Sequence, residues 1–349
     1  MNVQNNVLLA RYSSLNVGGP AATLIELEQD DSLQDVLKQA TQPVWVLGFG
    51  TNSLISDKGL PGTVIINGVG GVEDLGNQTL RVDSGVAWDT FVQKAIELGL
   101  YGLEFTSGIP GSVGAAVAGS IAAYGHRVGD RLLGATVLDL KTGTITSWDN
   151  EAFEFSYRSS SLQKPEHRDC VVLDATFLLS QTPTSELEYD SALKTAAKLG
   201  LKPDSLQNRR TIILETRQQA GSLLTDNTTG PWTAGSFFKN PLVNEKQVEA
   251  IIGFEEAGVT KEQLLRQNKI HGGTTVRVSA AHVLLAAGFK RGQSWGNVRL
   301  HPDHILKIEN SGQATAQEIY DVVQEIVQTV KTKLDITLEP EVRFLGDFS

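Results

Sequence analysis

The stretch from Gly102 to Gly125, "GLEFTSGIPGSVGAAVAGSIAAYG", constrains this chain more than any other. It carries Gly102, Gly108, Gly111, Gly114, Gly119 and Gly125, and no charged side chain follows Glu104. Glycines remove the side chains that hold a backbone at a distance. Such a segment therefore brings main-chain amides close to something flat or anionic, or packs tightly against a sheet. Composition leaves both open. The summed charge narrows the partners: 30 Lys and Arg against 40 Asp and Glu give −10, a field that repels nucleic acid and anionic membrane surfaces. An anionic ligand must then be held by local basic groups, helix termini or backbone amides.

With 349 residues, 40% hydrophobic and 20% charged, the chain is expected to be globular, with roughly two to three domains. Cys170 is the sole cysteine, so no intrachain disulfide and no cysteine cluster for zinc can form, which suits a reducing compartment. The start, "MNVQNNVLLARYSS", lacks the basic and apolar regions of a signal peptide, and no run of about 20 apolar residues is present to span a bilayer. The expectation is a cytoplasmic protein with neither nucleic acid nor membrane as partner.

Periodicity suggests strands at 23–29 and 44–47 around a helix at 31–40, then a strand, a glycine loop and a second strand through "VWVLGFGTNSLI" and "GTVIING". Because strands flank Gly48-x-Gly50, the loop is a poor dinucleotide fingerprint, which needs a third glycine opening a helix. Further on, 80–86 reads as strand and 87–98 as an amphipathic helix with Trp88, Phe91, Ala95 and Ile96 inward. Strands at 135–140, 144–147 and 170–180 precede helices at "DSALKTAAKLG" and 208–220, and "TDNTTGPWTAG" (225–235) reads as a linker. Beyond it come helices at "NEKQVEAIIGF", at "SAAHVLLAAGF" with Ser279 as cap, and after a Thr315–Glu318 capping box. "ITLEPEVRFLG" alternates as a strand, with Glu339, Glu341 and Arg343 on one side and Ile336, Leu338, Val342 and Phe344 on the other.

One literal catalytic motif is present. "GQSWG" (292–296) fits G-x-S-x-G, with His301, Asp303 and His304 beyond it, which would make Ser294 a hydrolase nucleophile. The elbow needs a strand before the serine and a helix after it, whereas a helical "AAGFKRG" precedes Ser294 and a strand-like "NVRL" follows. The histidines lack a three-ligand spacing, so no metal is expected. Tyr157 and Arg158 in "FSYRSSSL" pair a phenol with a fork-shaped cation suited to carboxylate or phosphate, or form an exposed strand end. Glu341 reads locally as a solvated strand residue and Ser236 in "WTAGSFFKNP" as a turn serine.

Taken together, "SLNVGGPA", "LGFGTNSLI", "GLEFTSGIPGSVGAA", "IAAYG", "YRSS", "AGSFFKNP", "LHPDHILKIENSGQATA" and "LEPEVRFLG" closely resemble, in order, the UDP-N-acetylenolpyruvoylglucosamine reductases. The resemblance implies an α+β chain: a two-lobed FAD-binding fold of the vanillyl-alcohol oxidase/PCMH type plus an α+β substrate-binding domain. It implies a first lobe over 1–76 with 334–349, a second over 77–220 with a tyrosine loop near 185–202 as in the longer, type I class, and a substrate domain over 221–333. It further implies FAD held by Gly48, Phe49, Gly50, Thr51, Asn52 and Ser53 at the diphosphate. Ser107, Gly108, Ile109, Gly111, Ser112, Gly114, Ile121 and Gly125 would face the ring system.

The implied reaction takes hydride from NADPH to flavin N5 and on to the enolpyruvyl carbon of UDP-N-acetylglucosamine enolpyruvate. Ser236 would be the proton donor, Arg158 the group polarising the carboxylate, and Glu341 its partner. Tyr124, Tyr157, Tyr189, Asn240 and His304 would contact the sugar nucleotide, and the enzyme would act as a monomer. Many relatives carry a lysine shortly before the serine segment, and "AGSLLTDNTTG" has none. A serine hydrolase using Ser294 and a flavin-fold binding protein without turnover are the alternatives, separated by a flavin spectrum that NADPH bleaches.

Overall fold

The computed structural model describes residues 1–29, 31–223, 230–254 and 276–349. It divides into two compact units, one formed by Met1–Val7, Ala21–Phe49 and Pro61–Thr225, the other by Leu8–Pro20, Gly50–Leu60 and Asp226–Ser349.

The two larger sheets of the first unit have four and five strands. One orders the strands Asn2–Leu8, Pro20–Glu26, Leu60–Ile66 and Val44–Leu47, the last two parallel. The other orders Ile145–Asp149, Leu132–Asp139, Cys170–Leu178, Thr79–Asp83 and Val72–Gly76, antiparallel throughout. The apolar stripe of the helix Trp88–Glu97 (Trp88, Phe91, Val92 and Ala95) is buried in one cluster with Phe177 of the second sheet. The rings of Phe91 and Phe177 lie 4.9 Å apart. Ile96, expected inward, packs only partly buried against that cluster. The helix expected at 31–40 is confined to Leu33–Leu37, which buries Leu33 and Val36.

Two further helices, Asp190–Leu199 and Leu206–Gln219, pack with Phe105 and Leu187 into a separate small core. A buried ion pair ties this core to the glycine-rich segment. Arg209 Nη1 donates to Glu104 Oε1 at 2.9 Å and to the Ser185 carbonyl at 3.0 Å, and Glu104 Oε2 accepts the Gly102 amide at 2.6 Å. Arg209 and Glu104 are each 1% exposed, and the guanidinium sits over the rings of Tyr101 and Phe105.

In the second unit the strands Trp232–Ser236, Lys307–Asn310, Val298–Leu300 and Ser294–Trp295 form one antiparallel sheet in that spatial order. The helices Glu245–Ile252, Ala280–Ala286 and Ala316–Leu334 share its apolar core. The expected capping box is present: Thr315 Oγ1 accepts the Glu318 amide at 3.1 Å, and Glu318 Oε2 accepts the Thr315 amide at 2.8 Å. Asp57 adds its carboxylate to the amides of Ala316 and Gln317, an anion at the positive end of the helix.

Three local expectations are corrected. The linker at 225–235 lies partly outside the described residues, and from Trp232 onward it is strand. Ser279 stands at its helix start without a side-chain cap bond; the Ala280 amide goes instead to Asn240 Oδ1 at 2.9 Å. The alternating C-terminal segment is a regular strand only over Arg343–Leu345, parallel to Ser53–Ile55. Before it, Pro340 bridges Phe238 through its neighbours, the Lys239 amide donating to the Glu339 carbonyl and the Glu341 amide to the Phe237 carbonyl. That pairing needs no amide from the proline, and Ile336, Leu338 and Val342 keep the alternating burial.

Removing one member of a buried pair strands the other charge and costs about 3–5 kcal/mol. Arg209→Met should lower unfolding stability by that order in urea titrations, and Arg209→Met with Glu104→Gln should recover part of it; a full loss in both would locate the cost elsewhere.

Candidate functional site

In the second unit the segment around Ser236 is fixed from both sides by main chain. The Phe237 amide donates to the Leu306 carbonyl and the Glu341 amide to the Phe237 carbonyl, both at 2.8 Å. Ser236 is thus next to the residue that links Glu341 to the Lys307–Asn310 strand. Its direction is set by a bulge: Thr233 opposes Glu309 while Ser236 opposes Lys307, three residues against two. In a regular strand residues three apart face opposite sides. The extra residue restores Ser236 to the face of Thr233, and Gly235, at φ +79° with nothing within 4 Å of an added Cβ, is there for its left-handed backbone. Among the described residues the Ser236 hydroxyl makes no hydrogen bond.

The loop before Ser53 joins the same group. Asn52 Nδ2 donates to the Glu341 carbonyl at 3.1 Å, and the Arg343 amide donates to the Asn52 carbonyl at 3.0 Å. Asn240 Oδ1 caps the Ala280–Ala286 helix, and its carbonyl accepts from Arg277 Nη1 at 2.6 Å. His304 stands in the turn before Lys307, whose amide donates to the His304 carbonyl at 2.9 Å. Its Nδ1 is buried and has no hydrogen-bond partner among the described residues. Burial first, then the Lys307 ammonium, lowers its pKa to about 4.

In the first unit Arg158 and Tyr157 form the tip of a tight loop closed by two hydrogen bonds between Ser156 and Ser159. Arg158 has φ +53°, uncommon for a non-glycine residue and a mark of functional segments. The loop is braced on the glycine-rich segment: Ser120 Oγ donates to the Ser156 carbonyl, and Ser160 Oγ to the Ala118 carbonyl. Tyr124 and Gly125, both at positive φ, make the turn between Ala122–Ala123 and His126–Arg127. This is the backbone of a type I′ hairpin turn, with a tyrosine where small residues are preferred. The Tyr124 ring meets Tyr189 edge-on at 5.3 Å, and burial raises both phenols.

The glycine-rich segment satisfies both of its readings in different places. Gly114 is packing: its amide donates to the Ser84 carbonyl at 2.9 Å, and a Cβ would lie 2.8 Å from Ser84 Cβ. Ser107, Gly108 and Ile109 also have their amides taken within the protein. Gly108 is held at both ends by ionised groups. Asp89 Oδ1 accepts its amide at 2.6 Å while Arg210 grips both oxygens of Asp89 at 2.7 Å, and Arg217 Nε donates to its carbonyl at 3.2 Å. Ile121 is bonded through its own amide to Ala116.

By contrast, the amides of Gly111 and Ser112, and those of Gly48, Phe49, Gly50, Thr51 and Asn52, donate to no described residue. Main-chain donors left open in this way are groups that an anion can use without any net positive charge on the chain. Arg217 and Asp89 were not visible in the sequence. An arginine late in a helix and an aspartate early in one look like ordinary helix-end charges, and no spacing links either to Gly108.

The hydrolase motif has no elbow. Ser294 lies in a short hairpin opposite Arg299, with its hydroxyl donated to the Gly296 carbonyl at 3.1 Å. His301 instead accepts the amides of Asp303 and His304 on Nδ1 and turns Nε2 to Glu309 at 3.6 Å. Among the described residues no His, Cys, Asp and Glu group is arranged to hold a metal, and no helix is long and apolar enough to cross a membrane.

Two family profiles match the chain: an FAD binding domain over residues 21–149, and the C-terminal domain of UDP-N-acetylenolpyruvoylglucosamine reductase over residues 226–345. The reductase of that name from Saccharopolyspora erythraea is 32% identical over 344 residues, covering 95% of this chain and 93% of that protein. The one from Cutibacterium acnes is 32% identical over 98% of this chain and 90% of its own length. The crystal structure of the Thermus caldophilus reductase superposes with a TM-score of 0.61 at 25% identity, covering 99% of this chain and all of the other.

His304 carries the pH prediction. Its folded-state pKa of about 4 lies below the ordinary 6.5, so the unfolded chain binds the extra proton first and stability falls as pH drops from about 6.5 toward 4. Replacing His304 with Gln should flatten that part of the stability profile in urea titrations at pH 7 and 4.5; an unchanged slope would assign it to other groups.

Proposed function

The chain belongs to the UDP-N-acetylenolpyruvoylglucosamine reductase family, and on that footing we propose how its residues divide the NADPH-dependent reduction of UDP-N-acetylglucosamine enolpyruvate to UDP-N-acetylmuramate in peptidoglycan precursor synthesis. Bound FAD supplies the hydride transfer, taking hydride from NADPH and giving it to the enolpyruvyl double bond. The loop Gly48–Ser53 holds the diphosphate through its main-chain amides, and Gly111 and Ser112 supply further amide donors to the cofactor. Ser107, Gly108, Ile109 and Gly114, whose amides are spent inside the protein, shape the floor rather than donate to it, with Ile121 and Gly125 at its border.

Hydride addition to the terminal enolpyruvyl carbon builds negative charge on the neighbouring carbon and its carboxylate. Arg158 draws that charge into the carboxylate, a task for which a fork-shaped cation fixed at a strained turn is suited. Ser236 delivers the proton to the carbon, and Glu341, whose amide is bonded to the Phe237 carbonyl, works with Arg158 on the carboxylate. Tyr124, Tyr157, Tyr189, Asn240 and His304 hold the sugar nucleotide. The expected lobes, 1–76 with 334–349 and 77–220, then carry the cofactor, and 221–333 the substrate. The enzyme acts as a monomer in the cytoplasm, where NADPH and nucleotide sugars are supplied.

The observation that carries the assignment of Ser236 is the Gly235 bulge, a left-handed residue spent on aiming one hydroxyl that makes no other described bond. In stopped-flow flavin absorbance, Ser236→Ala should leave reduction by NADPH within about threefold of native and slow reoxidation by substrate by about a hundredfold or more. Equal slowing of both half-reactions would sink the acid assignment. Ser294→Ala should leave both half-reactions at native rates, and loss of turnover with flavin retained would restore that serine to consideration.

A further inference from the structure

The strand Lys307–Asn310 alternates Lys307 and Glu309 with Ile308 and Asn310, and all four are buried. Ile308 belongs to the apolar core of the second unit, so the period of two puts Lys307 and Glu309 together on the other face. Glu309 has evident partners there: Arg299 Nε donates to it at 2.8 Å, with His301 Nε2 at 3.6 Å. Lys307 stands directly across from Ser236 in the antiparallel register, which brings their β-carbons to about 5 Å on one face. The Phe237–Leu306 hydrogen bond pins that register at the adjacent position, and the Gly235 bulge selects the face. Lys307 is 2% exposed, and its charge reaches His304, three residues away, strongly enough to help keep that ring neutral.

Resting on Ser236 as the acid of the reduction, we propose that Lys307 is the positioning residue that makes this hydroxyl able to act. As hydride from NADPH, carried by the flavin, adds to one enolpyruvyl carbon, the Ser236 O–H bond breaks and a C–H bond forms at the neighbouring carbon. The serine oxygen then carries the negative charge beside the Lys307 ammonium until solvent returns the proton. A buried cation stabilises such an oxyanion far more than one in water does. An apolar side chain here would fill the same volume and leave the hydroxyl too weak an acid.

The test uses FAD-loaded Lys307→Met in the stopped-flow assay, with Lys307→Gln as the uncharged variant should Met prevent folding. Flavin reduction by NADPH is expected within about threefold of native and reoxidation by substrate slower by about a hundredfold. Calorimetric binding of UDP-N-acetylglucosamine enolpyruvate to the oxidised enzyme should be unchanged within about threefold, and Lys307→Arg should restore about a tenth of the native rate or more. Combined with Ser236→Ala, Lys307→Met should slow reoxidation no further, because both act on one proton. Native-rate reoxidation in Lys307→Met alongside a slow Ser236→Ala overturns the inference alone. So does a loss expressed as weaker substrate binding, or an additive double mutant, either of which puts the ammonium on the substrate. A native rate in Ser236→Ala overturns the underlying reading instead.

Discussion

The Phe237 peptide is the joint on which the second unit depends. Its amide is bound to Leu306 and its carbonyl to Glu341, so a single residue holds together three segments far apart in sequence. Backbone bonds of this kind tolerate little lateral drift, and they act one position from the serine proposed as the acid. The pair Phe237 and Phe238, both buried, anchors the same residues in the core of the helices Ala280–Ala286 and Ala316–Leu334. Packing fixes the depth of the strand and the hydrogen bonds fix its register, so the hydroxyl is placed by groups that take no part in chemistry.

The first unit solves a similar problem with charge. Gly108 is gripped through Asp89 and Arg210 on one side and Arg217 on the other, and Glu104 is locked to Arg209 four residues earlier. All three arginines lie on the helix Leu206–Gln219. Charge-assisted bonds in a water-poor setting are strong and directional, and they add to the packing that Leu103, Phe105, Val113, Ala116 and Val117 supply from the stretch itself. The charged grip falls at Gly102 and Gly108, two positions that have no side chain with which to pack.

How much of this was legible follows from the range over which each signal acts. Helices with strong apolar stripes and the Thr315–Glu318 box were readable because the partners are a few residues apart. The strand, glycine loop and strand around Gly48 were readable from composition. The C-terminal alternation gave the buried side correctly but overstated the strand, since regular pairing covers Arg343–Leu345 and a single bridge at Pro340, while the inward side chains are set by burial against the core. Asn240 as the cap of a helix forty residues on, and Arg217 as the holder of Gly108, depend on tertiary distances that no local pattern encodes. Ser236 and Ser294 show the same limit from opposite directions: the second fits a local catalytic pattern and sits in an exposed hairpin, while the first reads locally as a turn serine, stands out only through the resemblance of "AGSFFKNP", and is aimed by a bulge that sequence shows only as one more glycine.

That bulge has a consequence for how the chain can vary. Between Thr233 and Ser236 the strand carries one residue more than its partner, and the side on which the serine emerges is a matter of parity. Gain or loss of one residue in this interval would leave composition and hydrophobicity nearly untouched and still turn the hydroxyl to the apolar face. The segment is therefore constrained in count more strictly than in kind: descendants of this sequence can exchange the side chains at 232–234 far more freely than they can change the spacing that separates them from the serine.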